Sequence, residues 1–241
     1  VLFLCSGGIE EYVCLTGWLE KGCIVRVLNP FLSSDVIVEN FKSFAPDLII
    51  VCDRYGEMLP VEIESAEIVK ISPLRSFRFE LLSQGTSIVI DESRPRRKKI
   101  LKSTGAGEIE IFTSGSTGEP KNIRHSVENL FQCMEKIKHI YDFDIDSIHY
   151  NNLPFYYLGG ISNHFICSIV SGGSTKLLPQ SKIDNLFFTI EEFCKGSSNV
   201  FWMPTNSYKS IYEYVNEKRG YWSEKENKCL VGMESVSKEF K

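Results

Sequence analysis

The stretch Ile111-Phe112-Thr113-Ser114-Gly115-Ser116-Thr117-Gly118-Glu119-Pro120-Lys121 is the most informative part of the 241-residue chain. It is typical of a strand that runs into a loop with two glycines and four hydroxyl side chains, followed by a lysine. Gly115 and Gly118 permit backbone conformations that point successive N–H groups at one anion. The hydroxyls can donate to phosphate oxygens or bind magnesium, and Lys121 adds a positive charge. These residues indicate a phosphate site, although an ordinary serine- and glycine-rich hairpin explains the composition equally well.

Strands and helices alternate on the N-terminal side of this loop. Short apolar runs at 1–4, 24–28 and 48–52 are typical of strands, and helical patterns separate them. Gly22 and Pro46 stop the two helices. The alternation predicts parallel β-α-β layering, so the expected fold class is layered α/β.

The C-terminal side continues the alternation. A helix is predicted over 129–141, where apolar side chains recur at spacings of three and four residues. Further elements are predicted at strands 88–90, 153–157, 175–178 and 199–203, and at a helix over 207–215.

Composition and charge exclude several classes of protein. With 27 basic and 31 acidic side chains and a net charge of −4, the chain offers no overall attraction to nucleic acid or to an anionic membrane. No apolar stretch reaches the roughly 18 residues that a membrane-spanning helix needs, so no membrane span is predicted. The eight cysteines include no Cys-x-x-Cys pair, which argues against a zinc site. We interpret them as small buried hydrophobes of a reducing compartment and expect a cytoplasmic protein.

The order of residues from Thr113 to Lys121, Thr-Ser-Gly-Ser-Thr-Gly-Glu-Pro-Lys, resembles the signature of the adenylate-forming superfamily. That superfamily contains acyl- and aryl-CoA synthetases, luciferases and the adenylation domains of nonribosomal peptide synthetases. Residues 153–161, Leu-Pro-Phe-Tyr-Tyr-Leu-Gly-Gly-Ile, resemble its next motif, in which an aromatic residue or a histidine lines the acyl pocket ahead of a glycine pair. Residues 172–179 and 201–205 resemble two later segments. The likeness covers most of the chain.

The resemblance implies an ATP-dependent ligase acting on a small carboxylic acid. The carboxylate attacks the α-phosphorus of ATP, pyrophosphate leaves, and the acyl-adenylate passes its acyl group to the thiol of coenzyme A (CoA). The residues implied to cradle the β- and γ-phosphates are Thr113, Ser114, Gly115, Ser116, Thr117 and Gly118. Lys121 is the implied catalytic residue, because it would hold the loop or touch the γ-phosphate. Ser116 is the implied contact for Mg²⁺.

The resemblance also assigns the acyl side of the site. Tyr157, Gly159 and Gly160 are implied to shape the acyl pocket. Asn163 is a further candidate that would face the substrate carboxylate, with capping of a helix as its alternative role. Two positions depart from the family pattern: Tyr157 stands where CoA ligases commonly have histidine, and Asn122 stands where the family usually has glycine.

The chain ends ahead of several family motifs. Members of the superfamily continue to a Tyr-Gly-x-Thr-Glu motif, a ribose-binding aspartate and a small C-terminal domain with a catalytic lysine. The resemblance therefore implies that residues 1–241 are a partial AMP-binding N-terminal domain, that the small C-terminal domain is absent, and that this fragment alone is inactive. Two alternatives stay open. One is an adenylation domain that loads an amino or aryl acid onto a phosphopantetheinyl carrier protein, and the other is a non-catalytic relative that binds nucleotide.

Overall fold

The computed structural model describes residues 1–5, 7–52, 55, 59, 63, 67–71, 78–81, 87–89, 107–113, 121–178, 183–196, 198–210, 212–217 and 227–232. The chain divides into two compact units, Val1–Leu130 and Phe131–Lys241. Each unit contains a sheet that includes parallel strands, together with helices. The predicted layered α/β class is confirmed.

The described strands of the first unit are β1 Leu2–Leu4, β2 Ile24–Leu28, β3 Leu48–Cys52, β4 Glu67–Ile71, β5 Arg78–Leu81, β6 Ser87–Val89, β7 Glu108–Thr113 and β8 Lys121–Ser126. Their order across the sheet is β6-β5-β4-β3-β1-β2-β7-β8. The central strands β1 to β4 and β7 pair in parallel, and β5, β6 and β8 add antiparallel pairs at the two edges. The parallel centre is the β-α-β layering that the sequence predicts.

Two helices, α1 Ile9–Glu20 and α2 Ser34–Phe44, connect the central strands. Because β1 lies between β2 and β3, the two crossovers run in opposite directions, and right-handed connections place the helices on opposite faces of the sheet. On the α2 face, Ile37, Leu4 and Val51 share one buried cluster. Every residue of β3 is buried, which explains its unbroken apolar sequence.

Both ends of α1 follow from local chemistry. At its start the Glu11 carboxylate accepts hydrogen bonds from the backbone N–H groups of Gly7 and Gly8, the latter at 2.7 Å. Glu11 is buried, so the helix carries its own negative charge at its positive end. Gly22 follows the helix with a φ of 78°, a conformation that glycine adopts without strain. The helix stop predicted at Gly22 is confirmed.

A buried ion pair joins β2 to β7. Arg26 and Glu110 are 6% and 4% exposed, and the guanidinium donates to one Glu110 oxygen from Nε at 3.0 Å and from Nη2 at 2.5 Å. Its Nη1 donates to the backbone and side chain of Asn40 and to Ser43 Oγ. Arg124 of β8 donates to the second Glu110 oxygen at 3.0 Å. The pair therefore ties three neighbouring strands to α2.

The described strands of the second unit are β9 Ile148–Asn151, β10 Ser174–Leu177, β11 Asn199–Pro204 and β12 Lys228–Gly232. They form a parallel sheet in the order β10-β9-β11-β12. The described helices from residue 127 onwards are α3 Val127–Tyr141, a π-helix Gly160–Ile166, α4 Cys167–Ser171, α5 Ile183–Lys195, α6 Thr205–Ser210 and α7 Tyr212–Glu217.

One face of this second sheet packs on α5. Phe193 of α5 belongs to a buried cluster with Tyr150, Phe201 and Met203. The rings of Tyr150 and Phe193 meet edge to face with centroids 5.9 Å apart. Because side chains alternate along a strand, Trp202 points to the opposite face from Phe201.

The strand predicted at 153–157 is wrong. The strand in this region is β9, which ends at Asn151, and the following residues turn towards the π-helix. The Asn151 side chain accepts a hydrogen bond from the Leu153 N–H at 3.1 Å, and Pro154 has no N–H to offer a neighbouring strand. These two features end the ladder, so an apolar run that is typical of a strand forms a turn.

Other predicted elements need smaller corrections. The helix predicted over 207–215 corresponds to the two helices α6 and α7, and the helix predicted over 129–141 begins two residues earlier, at Val127. The remaining predicted strands of the C-terminal side and the one at 88–90 agree with β10, β11 and β6 to within one residue. The described elements that the sequence did not predict include β4, β5, β12 and α5.

Two expectations from composition can be compared with the structure. All eight cysteines are free thiols. Cys5, Cys52 and Cys167 are buried, but Cys133 is exposed on α3, so the interpretation as a buried hydrophobe is wrong for Cys133. No helix in the described part of the chain is long and apolar enough to cross a bilayer.

Candidate functional site

The hairpin of β7 and β8 holds the two ends of the predicted phosphate loop. β7 ends at Thr113, β8 begins at Lys121, and these two residues are partners in the antiparallel ladder. The strand predicted ahead of the loop is confirmed, and a second strand follows the loop. The loop residues that lie outside the described residues include Ser114, Gly115, Ser116, Thr117 and Gly118. Their roles towards phosphate and magnesium stay predictions.

Charged side chains fix the stem of this hairpin. Arg124 of β8 is the ladder partner of Glu110 on β7 and donates to it from Nε at 3.2 Å and from Nη2 at 3.0 Å. The same guanidinium reaches Glu108 at 3.4 Å. Lys121 is exposed at the loop end of the stem. The stem therefore sets the distance between the two ends of the loop. It also places Lys121, the predicted catalytic residue, on the surface.

The second unit contains a cavity of 250 Å³ at the predicted acyl motif. The cavity is lined by Leu153, Tyr157, Leu158, Gly159, Ser162, Asn163, Trp202, Met203, Pro204 and Gly232. Three residues predicted for the acyl side, Tyr157, Gly159 and Asn163, are thus brought together. The fourth, Gly160, is buried but does not line the cavity.

Asn151 shapes the turn that leads into the cavity. Its side-chain N–H donates to the Gly160 carbonyl oxygen at 3.0 Å, and its side-chain oxygen accepts from the Leu153 N–H at 3.1 Å. Asn151 is buried, so both bonds form away from water, where they are electrostatically stronger. One side chain therefore holds both ends of the segment that carries Tyr157.

Close packing requires the glycine pair. A Cβ at Gly159 would lie 2.9 Å from the Tyr157 ring and 3.2 Å from the Leu153 side chain. A Cβ at Gly160 would lie 2.6 Å from the Pro154 carbonyl oxygen. Gly160 therefore contributes through backbone packing rather than through contact with the cavity, and Gly159 leaves room for the tyrosine ring.

The π-helix brings Ser162 and Asn163 to the cavity. Such helices are rare and often occur at functional sites. Ser162 Oγ lies 2.8 Å from the Leu158 carbonyl oxygen and 2.9 Å from Asn163 Oδ1, so the serine orients the asparagine amide. Asn163 lies within the π-helix and not at its end, so its alternative role as a helix cap is wrong.

Sequence reasoning missed the contribution of β11 to the cavity. Trp202 and Met203 both line it, and the Trp202 ring also meets Tyr141 edge to face at 6.2 Å. A signal was available, because both residues fall in the segment 201–205 that resembles a family motif. One sequence does not show which side chains of a strand border a cavity, since that depends on the element packed against it.

Two buried histidines lie behind the cavity wall. His149 of β9 and His164 of the π-helix are both 0% exposed. Burial lowers the pKa of His149 from 6.5 to about 4, and the nearby Asn163 backbone opposes that shift only in part. Burial lowers the pKa of His164 well below its usual value, and the neighbouring His149 lowers it further. Both rings are therefore neutral at neutral pH.

This burial predicts an acid-sensitive fold. His149 takes up a proton near pH 6.5 in the unfolded chain but only near pH 4 in the folded chain. Between these values the unfolded chain binds more protons, so this contribution to stability is complete above pH 6.5 and is lost as the pH falls below it. We expect the free energy of unfolding to fall by roughly 1 kcal/mol between pH 7.5 and pH 5.5 on account of His149. Denaturant titrations at the two pH values measure this loss.

Two variants identify the source of the acid sensitivity. His149→Phe should reduce the pH dependence, because a phenyl ring can take the imidazole's place at the Phe143 ring, now 5.1 Å away, without binding a proton. His139→Gln is the control, since the His139 side chain is 73% exposed on α3. Equal pH dependence in the parental, His149→Phe and His139→Gln proteins would contradict the assignment to His149.

Gly160→Ala is expected to lower the free energy of unfolding by roughly 1–3 kcal/mol. The added Cβ would meet a backbone oxygen at 2.6 Å, and a backbone atom cannot rotate away. Gly17→Ala in α1 is the control, because a Cβ there meets nothing within 4 Å, and alanine in a helix is favoured by about 0.5–1 kcal/mol over glycine. Urea titration compares the two variants. Equal stability would mean that the turn at residue 160 relaxes freely.

Comparisons with known proteins agree with this architecture. The family model of AMP-binding enzymes matches residues 1–237. The mitochondrial malonate–CoA ligase of Homo sapiens is 20% identical over 222 residues, which cover 90% of this chain and 36% of that protein. Long-chain fatty acid transport protein 6 of Mus musculus is 26% identical over 208 residues, which cover 83% of this chain and 31% of that protein. The crystal structure of ATP-bound MatB from Rhodopseudomonas palustris has a TM-score of 0.69 at 16% identity, with 96% of this chain and 44% of that chain covered.

These similarities differ in what they show. At 16% identity, the similarity to MatB shows the fold alone. The chain spans only 36% and 31% of the lengths of the two relatives. The family model, by contrast, covers nearly all of the chain. The chain therefore belongs to the family of AMP-binding enzymes, within the adenylate-forming superfamily.

Proposed function

We propose that this chain takes part in the ATP-dependent activation of a carboxylic acid and in the transfer of its acyl group to CoA. A carboxylate oxygen attacks the α-phosphorus of ATP, the bond to the bridging oxygen of the β-phosphate breaks, and pyrophosphate leaves. The thiolate of CoA then attacks the acyl carbon, and AMP leaves with the electron pair of the acyl–oxygen bond. The products are AMP, pyrophosphate and an acyl-CoA.

The β7–β8 hairpin is the observation that supports this proposal most. It connects two paired strands through a loop whose glycines and hydroxyls suit phosphate oxygens. In the proposal, Thr113 and the loop donate to the β- and γ-phosphates, and Lys121 offsets the charge that builds on the departing pyrophosphate. Donors that are fixed in advance at a developing charge lower the barrier without reorganising.

The cavity of the second unit accepts the acyl part of the substrate in this proposal. Tyr157, Gly159 and Asn163 line it, and Gly160 supports the turn beneath. Burial raises the pKa of Tyr157, so its phenol keeps its proton and can donate a hydrogen bond at neutral pH. Asn163 adds amide N–H donors. These groups can orient an acid by hydrogen bonds without adding charge.

Magnesium is the metal that the family implies, and it would share the phosphate charge when bound together with ATP. Oxygen atoms are its usual ligands, and the hydroxyls of the loop are of that type. The predicted contact, Ser116, lies outside the described residues. Across the residues that the structure describes, no group of three or more His, Cys, Asp or Glu is placed to hold a metal ion.

Exchange of labelled pyrophosphate into ATP tests the proposal. The complete product of the gene that encodes this chain is incubated with ATP, labelled pyrophosphate and a panel of carboxylic acids. We expect label in ATP only when an accepted acid is present, and an acyl-CoA when CoA is added. A folded protein that binds ATP but supports exchange with no acid would contradict the ligase proposal and favour a non-catalytic nucleotide-binding relative.

A further inference from the structure

The 250 Å³ cavity in the second unit has largely apolar walls. Leu153 and Leu158 line it from the turn that follows β9, and Trp202 and Met203 line it from β11. Among the described residues that line the cavity, none has an ionisable side chain that is charged at neutral pH. The walls therefore favour apolar groups, which gain free energy when they leave water.

The polar groups at the cavity are neutral as well. The Tyr157 phenol is an uncharged donor at neutral pH, and burial raises its pKa further above the ordinary value. The Ser162 hydroxyl and the Asn163 amide, which lie 2.9 Å from each other, are uncharged as well. Behind this wall, His149 and His164 are neutral because burial lowers the pKa of both rings. Neither the described lining nor these two histidines supply a positive charge at neutral pH.

A neutral wall discriminates between acids by their charge. An ionised carboxylate loses strong hydration when it leaves water, and it recovers that loss only from a counter-charge or from several hydrogen bonds. A dicarboxylate such as malonate keeps one ionised carboxylate on its acyl part while the other reacts. A monocarboxylic acid keeps none, so its acyl group meets no such penalty in this cavity.

The absence of charge in the described walls restricts the acid. We propose that the acid used by this protein is a monocarboxylic acid with an uncharged acyl group, and that the apolar side chains of Leu158, Trp202 and Met203, which line the cavity, select it against dicarboxylates. This inference rests on the proposed function and names its substrate class. It distinguishes the chain from the malonate–CoA ligase to which it is similar.

Competition between matched acids tests the inference. Pyrophosphate exchange by the complete gene product is measured with butanoate, hexanoate and benzoate, and with the dicarboxylates malonate and succinate. We expect kcat/KM for at least one monocarboxylate to exceed that for either dicarboxylate by about tenfold or more, the factor that a single charge-assisted hydrogen bond provides. A higher kcat/KM for malonate than for every monocarboxylate overturns the inference and leaves the proposed function intact. No exchange with any acid overturns the proposed function itself.

A variant that adds a charge tests the role of the wall. Leu158 is only half-buried, so Leu158→Arg can place a guanidinium at the cavity. The ratio of malonate to butanoate exchange should rise by roughly ten- to a hundredfold. Ile145→Arg is the control, because Ile145 is 74% exposed and does not line the cavity. An equal ratio in the two folded variants overturns the role of the wall.

A second variant covers the case in which Leu158→Arg does not fold. Trp202→Ala enlarges the apolar space without adding charge. The ratio of kcat/KM for hexanoate to kcat/KM for butanoate should rise by roughly tenfold, since each added methylene in an apolar pocket changes specificity by about ten- to two-hundredfold at most. The value of kcat/KM for malonate should not rise. A Trp202→Ala protein with the parental preference for chain length overturns the assignment of this cavity to the acyl group.

Discussion

Replacing Lys121 by alanine is expected to lower the rate of acid-dependent pyrophosphate exchange by roughly a hundred- to a thousandfold. The lysine stands at the first position of β8, directly after the predicted phosphate loop, and is the ladder partner of Thr113. In the proposed reaction, negative charge grows on the leaving pyrophosphate. A fixed positive charge therefore stabilises the transition state more than the ground state. Loss of one such group raises the activation free energy by about 2.7–4 kcal/mol.

The same experiment needs a control for charge and a control for folding. Lys21, exposed in the turn after α1, lies in the same unit, so Lys21→Ala removes an equal charge and should leave the exchange rate at the parental value. Lys121 is also exposed, so its replacement should change the melting temperature little.

Gly115→Val tests the loop backbone in parallel. If the loop cradles phosphate as proposed, a valine side chain would compete with the phosphate oxygens for space and would disfavour any positive φ that the cradle needs, so exchange should fall at least as far as in Lys121→Ala. If both loop variants are folded and exchange pyrophosphate at the parental rate, the loop is an ordinary hairpin that does not bind phosphate.

The fold of the first unit could be predicted because its signals are local. The unbroken apolar run of β3 indicates burial on both faces, and Gly22, with its φ of 78°, marks the end of α1. Alternating strands and helices can pack in only a few layered arrangements, so local signals were enough to predict the layered α/β fold class. β4 was not predicted, because its five residues begin with Glu67 and Lys70 interrupts the apolar residues that follow.

The turn into the cavity depends on two hydrogen bonds that one side chain makes. Residues 153–157 are largely apolar and aromatic, a composition that strands favour. The strand nevertheless ends earlier, because the Asn151 side chain binds the Leu153 N–H and the Gly160 carbonyl oxygen. No periodic pattern of single residues reports such bonds. The sequence does not indicate the π-helix that follows either, since seven residues are too few to distinguish the period of a π-helix from that of an α-helix.

Resemblance and structure supplied different parts of the candidate site. The resemblance pointed to Tyr157 and Asn163 through the order of residues in a motif, and the structure brings both to one cavity. For Trp202 the resemblance pointed only to the segment 201–205 and not to the side chain, because a tryptophan on a strand is most simply a packing residue. Its part in the cavity comes from the structure, in which Trp202 and Met203 of β11 line the cavity together with the turn that follows β9.

The largest loss of stability is expected from Glu110→Ala. Glu110 is 4% exposed and neutralises Arg26, which is 6% exposed. Alanine would leave the guanidinium buried over the Phe44 ring, 4.4 Å from its centroid, with only the neutral groups of Asn40 and Ser43 as hydrogen-bond partners. Removing one partner of a buried ion pair typically destabilises a protein by about 3–5 kcal/mol. Denaturant titration at neutral pH, away from the histidine transition, measures this loss.

Glu108→Ala is the matched control for Glu110→Ala. Glu108 lies two residues earlier on β7 and contacts the same Arg124 at 3.4 Å, but its side chain is 37% exposed. Exposed ion pairs contribute about 0–1 kcal/mol, so only a small loss is expected. Combining Arg26→Met with Glu110→Leu should restore most of the stability, because no charge then remains buried. If Glu110→Ala destabilises no more than Glu108→Ala, or if the combined variant is as unstable as Glu110→Ala, the loss does not come from an uncompensated charge on Arg26.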